Sequence, residues 1–264
     1  MKIAIIGAGN FGLSIAKGLL TNKATASLYL TKRNSETLIE YNTHQNVFTT
    51  SDNRDAVAKS DILIFAVQPR HFRDVLSDVK VVLNDSHVVI SVVTGFKIAE
   101  MEEIIGANRF IIRAMPNTAI SVSKSMTCIC TNEKGKQRVD IALTIFNRLG
   151  NSLEIAEEQM QAATVICASG IAFWMRLIRA TTQGAIQLGF ESKEALEMSM
   201  QTCLGAASLL VESNNHPEQE IDRVTTPGGC TIEGLNEMEY QGLSSSLIHG
   251  LIASFDKISN ISKG

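Results

Sequence analysis

The opening twenty residues demand a strand, a tight turn and a helix in that order. Lys2-Ile3-Ala4-Ile5-Ile6 reads as a short buried strand, and Leu13-Ser14-Ile15-Ala16-Lys17-Gly18-Leu19-Leu20 has helical spacing. Between them stands Gly7-Ala8-Gly9-Asn10-Phe11-Gly12. This is a G-x-G-x-x-G turn in the one context that gives it meaning. Gly7 permits the turn, Gly9 lets the backbone approach a pyrophosphate, and Gly12 lets helix and strand pack closely. The helix start offers free N–H groups and a positive dipole end to phosphate. A dinucleotide-binding unit at the N-terminus is the expectation.

The rest of the first half repeats that grammar. Apolar runs at Ala26–Thr31, Val47–Thr50, Ile62–Val67, Val88–Val93, Phe110–Met115 and Ser125–Cys130 read as strands, several separated by helical segments. Such runs indicate a mainly parallel sheet covered on both faces. Ligands of these sheets sit at the carboxyl ends of the strands. That directs attention to Gly7–Gly12, Thr31–Asn34, Ala66–Pro69, Val93–Gly95 and Ala114–Thr118. From about Glu157 the pattern turns helical, over Glu157–Ile166, Gly170–Gly189, Lys193–Glu212, Gly228–Tyr240 and Ser244–Ile261. The expected fold is α/β: a Rossmann-type dinucleotide-binding domain over residues 1–156 and an all-helical domain over 157–264. Several of these helices carry more apolar surface than one sheet face can cover, which points to a homodimer through the helical domain.

The chain has 264 residues, 45% hydrophobic and 19% charged, with a net charge of −3. That balance gives no reason to expect nucleic acid or an anionic membrane as partner. The early strand leaves no room for a removed signal, and no apolar run is expected to span a bilayer. The cysteines (Cys128, Cys130, Cys167, Cys203, Cys230) form no C-x-x-C pair. They read as reduced core thiols of a cytoplasmic protein, with no metal site.

For NAD, a carboxylate is expected at the end of the second strand. Here that place holds Thr31-Lys32-Arg33-Asn34, with no acid before Glu36. Two cations with a hydroxyl and an amide suit the 2′-phosphate of NADP(H), with NAD(H) still possible. Proton-transfer chemistry on alcohols or ketones needs a placed His or Lys. Neither occurs between Asn151 and Gly189, which argues against hydroxyacid oxidation. A different kind of pocket is offered by Val224-Thr225-Thr226-Pro227-Gly228-Gly229-Cys230-Thr231-Ile232-Glu233-Gly234-Leu235, tightly turned, rich in backbone donors and placed before a helix. Gly228 and Gly229 allow close approach of N–H groups to a carboxylate, and Thr226 and Thr231 add hydroxyls.

Together these residues resemble the pyrroline-5-carboxylate reductase family over nearly the whole chain. The resemblance rests on Gly7–Gly12, Ala66-Val67-Gln68-Pro69, Arg113-Ala114-Met115-Pro116-Asn117-Thr118 and Val224–Leu235. It implies hydride transfer from NAD(P)H to a cyclic C=N bond, giving L-proline, and a helical dimerisation domain whose dimers in some members assemble into rings. It implies that Gly7, Ala8, Gly9, Asn10, Phe11 and Gly12 hold the pyrophosphate, and that Thr31, Lys32, Arg33, Asn34 and Asn53 face the adenosine. Ala66, Val67, Gln68 and Pro69 would line the cofactor, with Val93, Thr94 and Gly95 near the nicotinamide. Met115, Pro116 and Asn117 would shape the junction with substrate. Val224, Thr226, Gly228, Gly229 and Thr231 would bind the cyclic imino acid, with Gly228 and Gly229 amides on its carboxylate. Thr231, with Thr226, would be catalytic, the Thr231 hydroxyl meeting the ring nitrogen. One stretch departs from the family pattern Ser-Gly-Ser-Gly-Pro-Ala-Tyr: Cys167-Ala168-Ser169-Gly170-Ile171-Ala172-Phe173 lacks the proline and the tyrosine hydroxyl. Other readings on the same scaffold are a different NADP-dependent imine or oxo reductase, and a non-catalytic NADP-binding regulator.

Overall fold

The computed structural model describes residues 1–261. Eight strands form one sheet: β1 (Lys2–Ile6), β2 (Ser27–Thr31), β3 (Val47–Thr50), β4 (Ile62–Phe65), β5 (Val88–Ser91), β6 (Phe110–Met115), β7 (Ser125–Thr131) and β8 (Gly150–Glu154). Their spatial order is β3-β2-β1-β4-β5-β6-β7-β8. Every neighbouring pair is parallel except β6 and β7, which are joined by a short 3-10 turn, Thr118–Val122. The order reverses at β1, which lies between β2 and β4 with Ile3 opposite both Leu28 and Ile62. A crevice opens outside the carboxyl ends of the strands at such a switch point.

Strand alternation builds two cores. Ile3 and Ile5 face Ile15 and Leu19 of α1 (Asn10–Thr21), and the same layer holds Ile145 and Phe146 of α5 (Val139–Asn147). Ala4 and Ile6 face the other way. Their layer holds Phe72 and Leu76 of α3 (Pro69–Val79) and Met101 and Ile105 of α4 (Ile98–Ile105). A sheet buried on both faces is what near-continuous apolar strands require. Asp52 caps the short α2 (Asn53–Ala58), accepting the N–H groups of Arg54 and Asp55.

The expected strands are all present, two of them cut short at their carboxyl ends. Ile62–Val67 ends at Phe65 and Val88–Val93 at Ser91, because the residues beyond leave the sheet to form the crevice. Strand β8 lies outside the sequence reading. Its residues, Gly-Asn-Ser-Leu-Glu, are mostly exposed, so no apolar alternation announces it. It is admitted by Gly150, whose φ is +142° and whose Cβ would collide with the Ser125 backbone.

Residues 157–187 also differ from expectation. A 3-10 turn (Glu157–Gln159), α6 (Met160–Ala163), a π-helical stretch (Thr164–Ser169) and α7 (Gly170–Gln187) run on as one helix. Ile171 has an N–H to give to the preceding turns where a proline has none, so nothing forces a break. This corrects the expectation that no apolar stretch can span a bilayer. The merged helix has 31 residues with an 18-residue window of mean hydropathy 1.4, enough by length and composition alone.

The chain divides into two compact units, residues 1–169 with the segment from Phe255, and residues 170–254. Residues 157–169 thus belong with the sheet, where Met160 and Ala163 join the second core layer. The second unit holds α7, α8 (Ser192–Ser213), α9 (Pro217–Val224), α10 (Cys230–Tyr240) and the first part of α11 (Leu243–Ile261). It has almost no interior of its own. Its buried residues in these helices are small or polar (Gly170, Thr182, Ala195, Ser199), while Trp174, Met175, Leu204, Leu209 and Val211 are exposed.

Candidate active site

The glycine turn has the geometry its sequence requires. Gly7 has φ +97°, and a Cβ there would stand 2.6 Å from Val67 Cγ1. A Cβ on Gly12 would meet the Gly7 carbonyl oxygen at 2.5 Å and Ile5 Cγ2 at 3.2 Å. A Cβ on Gly9 would meet nothing within 4 Å. Two glycines are therefore held by close packing, and the middle one faces open space at the N-terminus of α1. That is a cradle of the size and polarity a pyrophosphate needs. The turn is braced from β2, where Thr31 Oγ1 accepts the Gly7 N–H at 3.2 Å and the Thr31 carbonyl accepts the Ala8 N–H at 2.7 Å.

Two adjoining cavities run along the carboxyl edge of the sheet and share Gly9, Lys32, Ala66, Val67 and Gln68. The first, about 550 Å³, gathers Gly7, Thr31, Lys32, Arg33, Asn34 and Asn53. The second, about 650 Å³, gathers Asn10, Phe11, Pro69, Val93, Thr94, Met115, Pro116 and Asn117. Residues expected from distant parts of the sequence thus line one cleft. Ala8 and Gly12 are buried beneath it and act through the turn alone. Gly95 turns away, at φ +86°, and lines a neighbouring cavity with Lys97, Arg113 and Glu157. There Arg113 Nη1 meets Glu157 Oε1 at 2.6 Å, and the same oxygen accepts the Ile98 N–H at 2.7 Å. The arginine of the Arg-Ala-Met-Pro-Asn-Thr run therefore clamps β6 to α4 and the turn at Glu157.

Several expected residues do different work from that implied. Thr31 is buried, and its hydroxyl is committed to the glycine turn. Asn117 lines the cleft, but its Oδ1 accepts the Ala119 N–H and its Nδ2 donates to the Cys167 carbonyl at 3.0 Å. It fixes the wall of the cleft from both sides. The structure also adds lining residues that the sequence reading missed: Ser51, His71, Asp74 and Val75 in the first cavity, and Val92 and Ala168 in the second. His71, Asp74 and Val75 stand at i, i+3 and i+4 on α3, a helix face that Pro69 starts. That spacing was the available signal. Asp74 brings a carboxylate to the first cavity, which also holds two cations, Lys32 and Arg33.

Residues 224–231 lie in the helical unit and line neither cavity. Gly228 has φ +66°, a conformation that favours glycine. The Gly229 N–H donates to the Thr226 carbonyl at 2.9 Å, and a Cβ on Gly229 would collide with Thr226 Oγ1. The expected Gly229 amide is thus engaged within the turn. The open donors are Gly228 and the first turn of α10, where Cys230 and Thr231 have no carbonyl four residues back in the helix. Val224 and Thr226 are exposed, and Thr231 is half-buried.

Pyrroline-5-carboxylate reductase 1 of Dictyostelium discoideum is 44% identical to this chain over 98% of its length. This chain belongs to the pyrroline-5-carboxylate reductase family. It spans about half (49%) of that Dictyostelium protein. Pyrroline-5-carboxylate reductase 2 of the same organism is 38% identical, over 98% of this chain and 92% of its own. A solved pyrroline-5-carboxylate reductase from Coxiella burnetii superposes with a TM-score of 0.92 at 30% identity, covering 100% of this chain and 99% of that one. The family model for pyrroline-5-carboxylate reductase dimerisation matches residues 157–261. A second model, described as NADP oxidoreductase coenzyme F420-dependent, matches residues 2–95, within the dinucleotide-binding half.

Proposed function

We infer that the chain is a pyrroline-5-carboxylate reductase that forms L-proline with NADPH as reductant. One observation beyond family membership supports the reaction. Apart from Lys32, no described residue lining the second cavity is ionisable. A ketone or alcohol needs a proton delivered or removed as hydride moves, whereas a protonated cyclic imine already carries its proton on nitrogen. A cavity whose described lining holds Lys32 as its one ionisable group suits the imine.

Gly7–Gly12 would hold the pyrophosphate, and Lys32, Arg33, Asn34, Ser51 and Asn53 the adenosine 2′-phosphate. Bound NADPH would supply the hydride for the imine carbon. The walls at Val93, Thr94, Met115 and Pro116 would orient the nicotinamide end and keep water out. Gly228 N–H and the first amides of α10 would take the substrate carboxylate, and the Thr231 hydroxyl would accept from the ring N–H. Thr226 would shape that turn through its carbonyl. Rate then comes from positioning, which can contribute several kcal/mol.

The apolar surface of α7 and α8 would be buried in a homodimer, with residues 157–264 as the substrate and dimerisation domain and 1–156 as the NADP domain. A ring of dimers and a cytoplasmic location fit the same reading. The test is NADPH oxidation with pyrroline-5-carboxylate, compared between wild type and Thr231→Ala. The variant is expected to lose about tenfold or more in kcat, the range of one hydrogen bond to a charged group, with NADPH affinity unchanged. Wild-type turnover in the variant would remove Thr231 from the site.

A further inference from the structure

Two thiols meet behind the wall of the cleft. Cys128 is buried on β7, opposite Met115 of β6 on one side and Leu153 of β8 on the other. Cys167 is half-buried in the π-helical stretch Thr164–Ser169. Their sulfurs are 3.9 Å apart and hydrogen-bonded. The backbone around Cys167 is part of the wall. Its carbonyl takes the Asn117 amide, and the next residue, Ala168, lines the cleft beside Met115, Pro116 and Thr118.

We propose that Cys128 and Cys167 are a redox pair that a peroxide converts to a disulfide, and that this bond reversibly slows turnover by moving the cleft wall. The disulfide stands on the geometry alone; the effect on turnover rests on the reductase reading. The thiolate is the reactive form of cysteine. Either thiol can donate in this bond; with Cys128 as donor, charge is favoured on the more exposed Cys167, whose thiol lies below the ordinary cysteine value against the cost of burial. The same bond, together with burial, pushes Cys128 up. Cys167 is thus the attacking sulfur and Cys128 the resolving one. Attack on the peroxide breaks its O–O bond, leaves a sulfenic acid on Cys167 and releases hydroxide, which becomes water on protonation. The Cys128 sulfur then displaces the sulfenic hydroxyl, the S–S bond forms, and a second water leaves. Two thiols and one peroxide become one disulfide and two waters.

An S–S bond is about 2.05 Å long, so the sulfurs must close by roughly 2 Å. Strand β7 is held by neighbours on both sides and cannot give. The π-helical turn, an irregular single turn inside a helix and outside the sheet, is the partner left to move. The movement therefore falls on Cys167 and Ala168, and through them on Asn117. Cys130, two residues along β7, is pushed up to about 12, mainly by burial, and serves as the internal control.

The experiment treats the whole purified protein with hydrogen peroxide, blocks free thiols, and digests with trypsin without reduction. Mass spectrometry should show peptides 125–134 and 149–176 joined, lighter by two hydrogens, with the link at Cys128. In parallel, kcat should fall about tenfold, as expected for a displaced wall, and return with dithiothreitol. Cys167→Ser should neither cross-link nor respond to peroxide, and Cys130→Ser should behave as wild type. Sulfinic acid at Cys167 without a cross-link, or a link through Cys130, overturns the pair. A cross-link with unchanged kcat overturns the effect on turnover. Cross-linking in a protein with no prior pyrroline turnover refutes the reductase reading and leaves the thiol pair standing.

Discussion

The two halves of the chain bury hydrophobic residues in opposite ways. In the dinucleotide-binding half, Ile3, Ile5, Leu28, Ile64 and Ile112 are fully covered by their own unit, and the sheet has helices on both faces. In the helical half, Ala195 is the one buried hydrophobic residue between Gly170 and Ser254, while Leu196, Met200, Leu204 and Val211 form an exposed stripe along α8. Those four positions fall within one narrow face of a helix with 3.6 residues per turn. One half is stabilised from within, and the other needs a second surface. A large exposed apolar face marks an interaction site, and the dimerisation model matched over residues 157–261 supports the proposal that a second copy covers it.

The largest effect expected from this contrast is on assembly. Leu204→Glu combined with Val211→Glu places two charges on the α8 stripe while touching nothing buried in the subunit. A few central interface residues dominate association, at about 2 kcal/mol or more each. The double variant should therefore dissociate at concentrations where wild type is dimeric, and helical content should fall with dilution. Sedimentation velocity and circular dichroism on one dilution series would test this. A variant that stays dimeric would move the interface off α8.

The next effect is confined to the other half. Gly12→Ala puts a methyl group against the Gly7 carbonyl and Ile5. Overpacking of this kind costs about 1–3 kcal/mol. Thermal unfolding should shift down and NADPH affinity should weaken, while the dimer dissociation constant stays as in wild type. A shift in dimer affinity would show that the two halves are energetically coupled more tightly than their separate cores suggest.

A third change should alter function without altering either core. Arg33→Asp replaces a cation at the adenosine end by a second carboxylate beside Asp74. A charged hydrogen bond contributes about 1.5–3 kcal/mol, so the NADPH-to-NADH ratio of kcat/KM should fall at least tenfold. Steady-state kinetics with both cofactors would measure it. An unchanged ratio would assign discrimination to Lys32 or Asn34 instead.

How much of this was legible in the sequence follows the same division. The glycine turn could be read because Gly7 takes a positive φ and neither Gly7 nor Gly12 has room for a side chain, while Gly9 faces open space. The strands could be read because both sheet faces are buried. Strand β8 could not, since its exposed polar residues pair at the edge of the sheet. Ser51 reaches the cleft only through tertiary packing, whereas His71 and Asp74 share a helix face that their spacing after Pro69 marks, and Ala168 lies in the stretch that departs from the family pattern. Asn117 lines the cleft, but its hydrogen bonds to Ala119 and Cys167 belong to the folded chain. The meeting of Cys128 and Cys167, from segments far apart, is the extreme case. Spacing suggested scattered core thiols, whereas Cys230 is exposed and these two touch.

The smallest expected effect probes the self-sufficient half through its one strongly buried histidine. His87, 3% exposed, precedes β5, and its Nδ1 accepts the Asn84 N–H at 3.0 Å. Burial lowers its pKa below the ordinary histidine value, outweighing backbone bonds at Ser60 and Val57 and the charge of Asp61 that favour the proton. The unfolded chain therefore binds a proton more readily than the folded one, and stability rises with pH across the interval between the two pKa values. The contribution is complete above the unfolded pKa of about 6.5 and is lost as pH falls toward the lower folded value. One proton limits the slope to about 1.4 kcal/mol per pH unit. Urea unfolding from pH 5 to 7.5 should show this slope in the transition of the dinucleotide-binding half, and His87→Gln should flatten it. The α8 stripe carries no histidine, so dimer dissociation should not follow the same curve. Parallel pH curves for unfolding and dissociation would mean that the dinucleotide-binding half, despite its complete core, relies on the dimer for its stability.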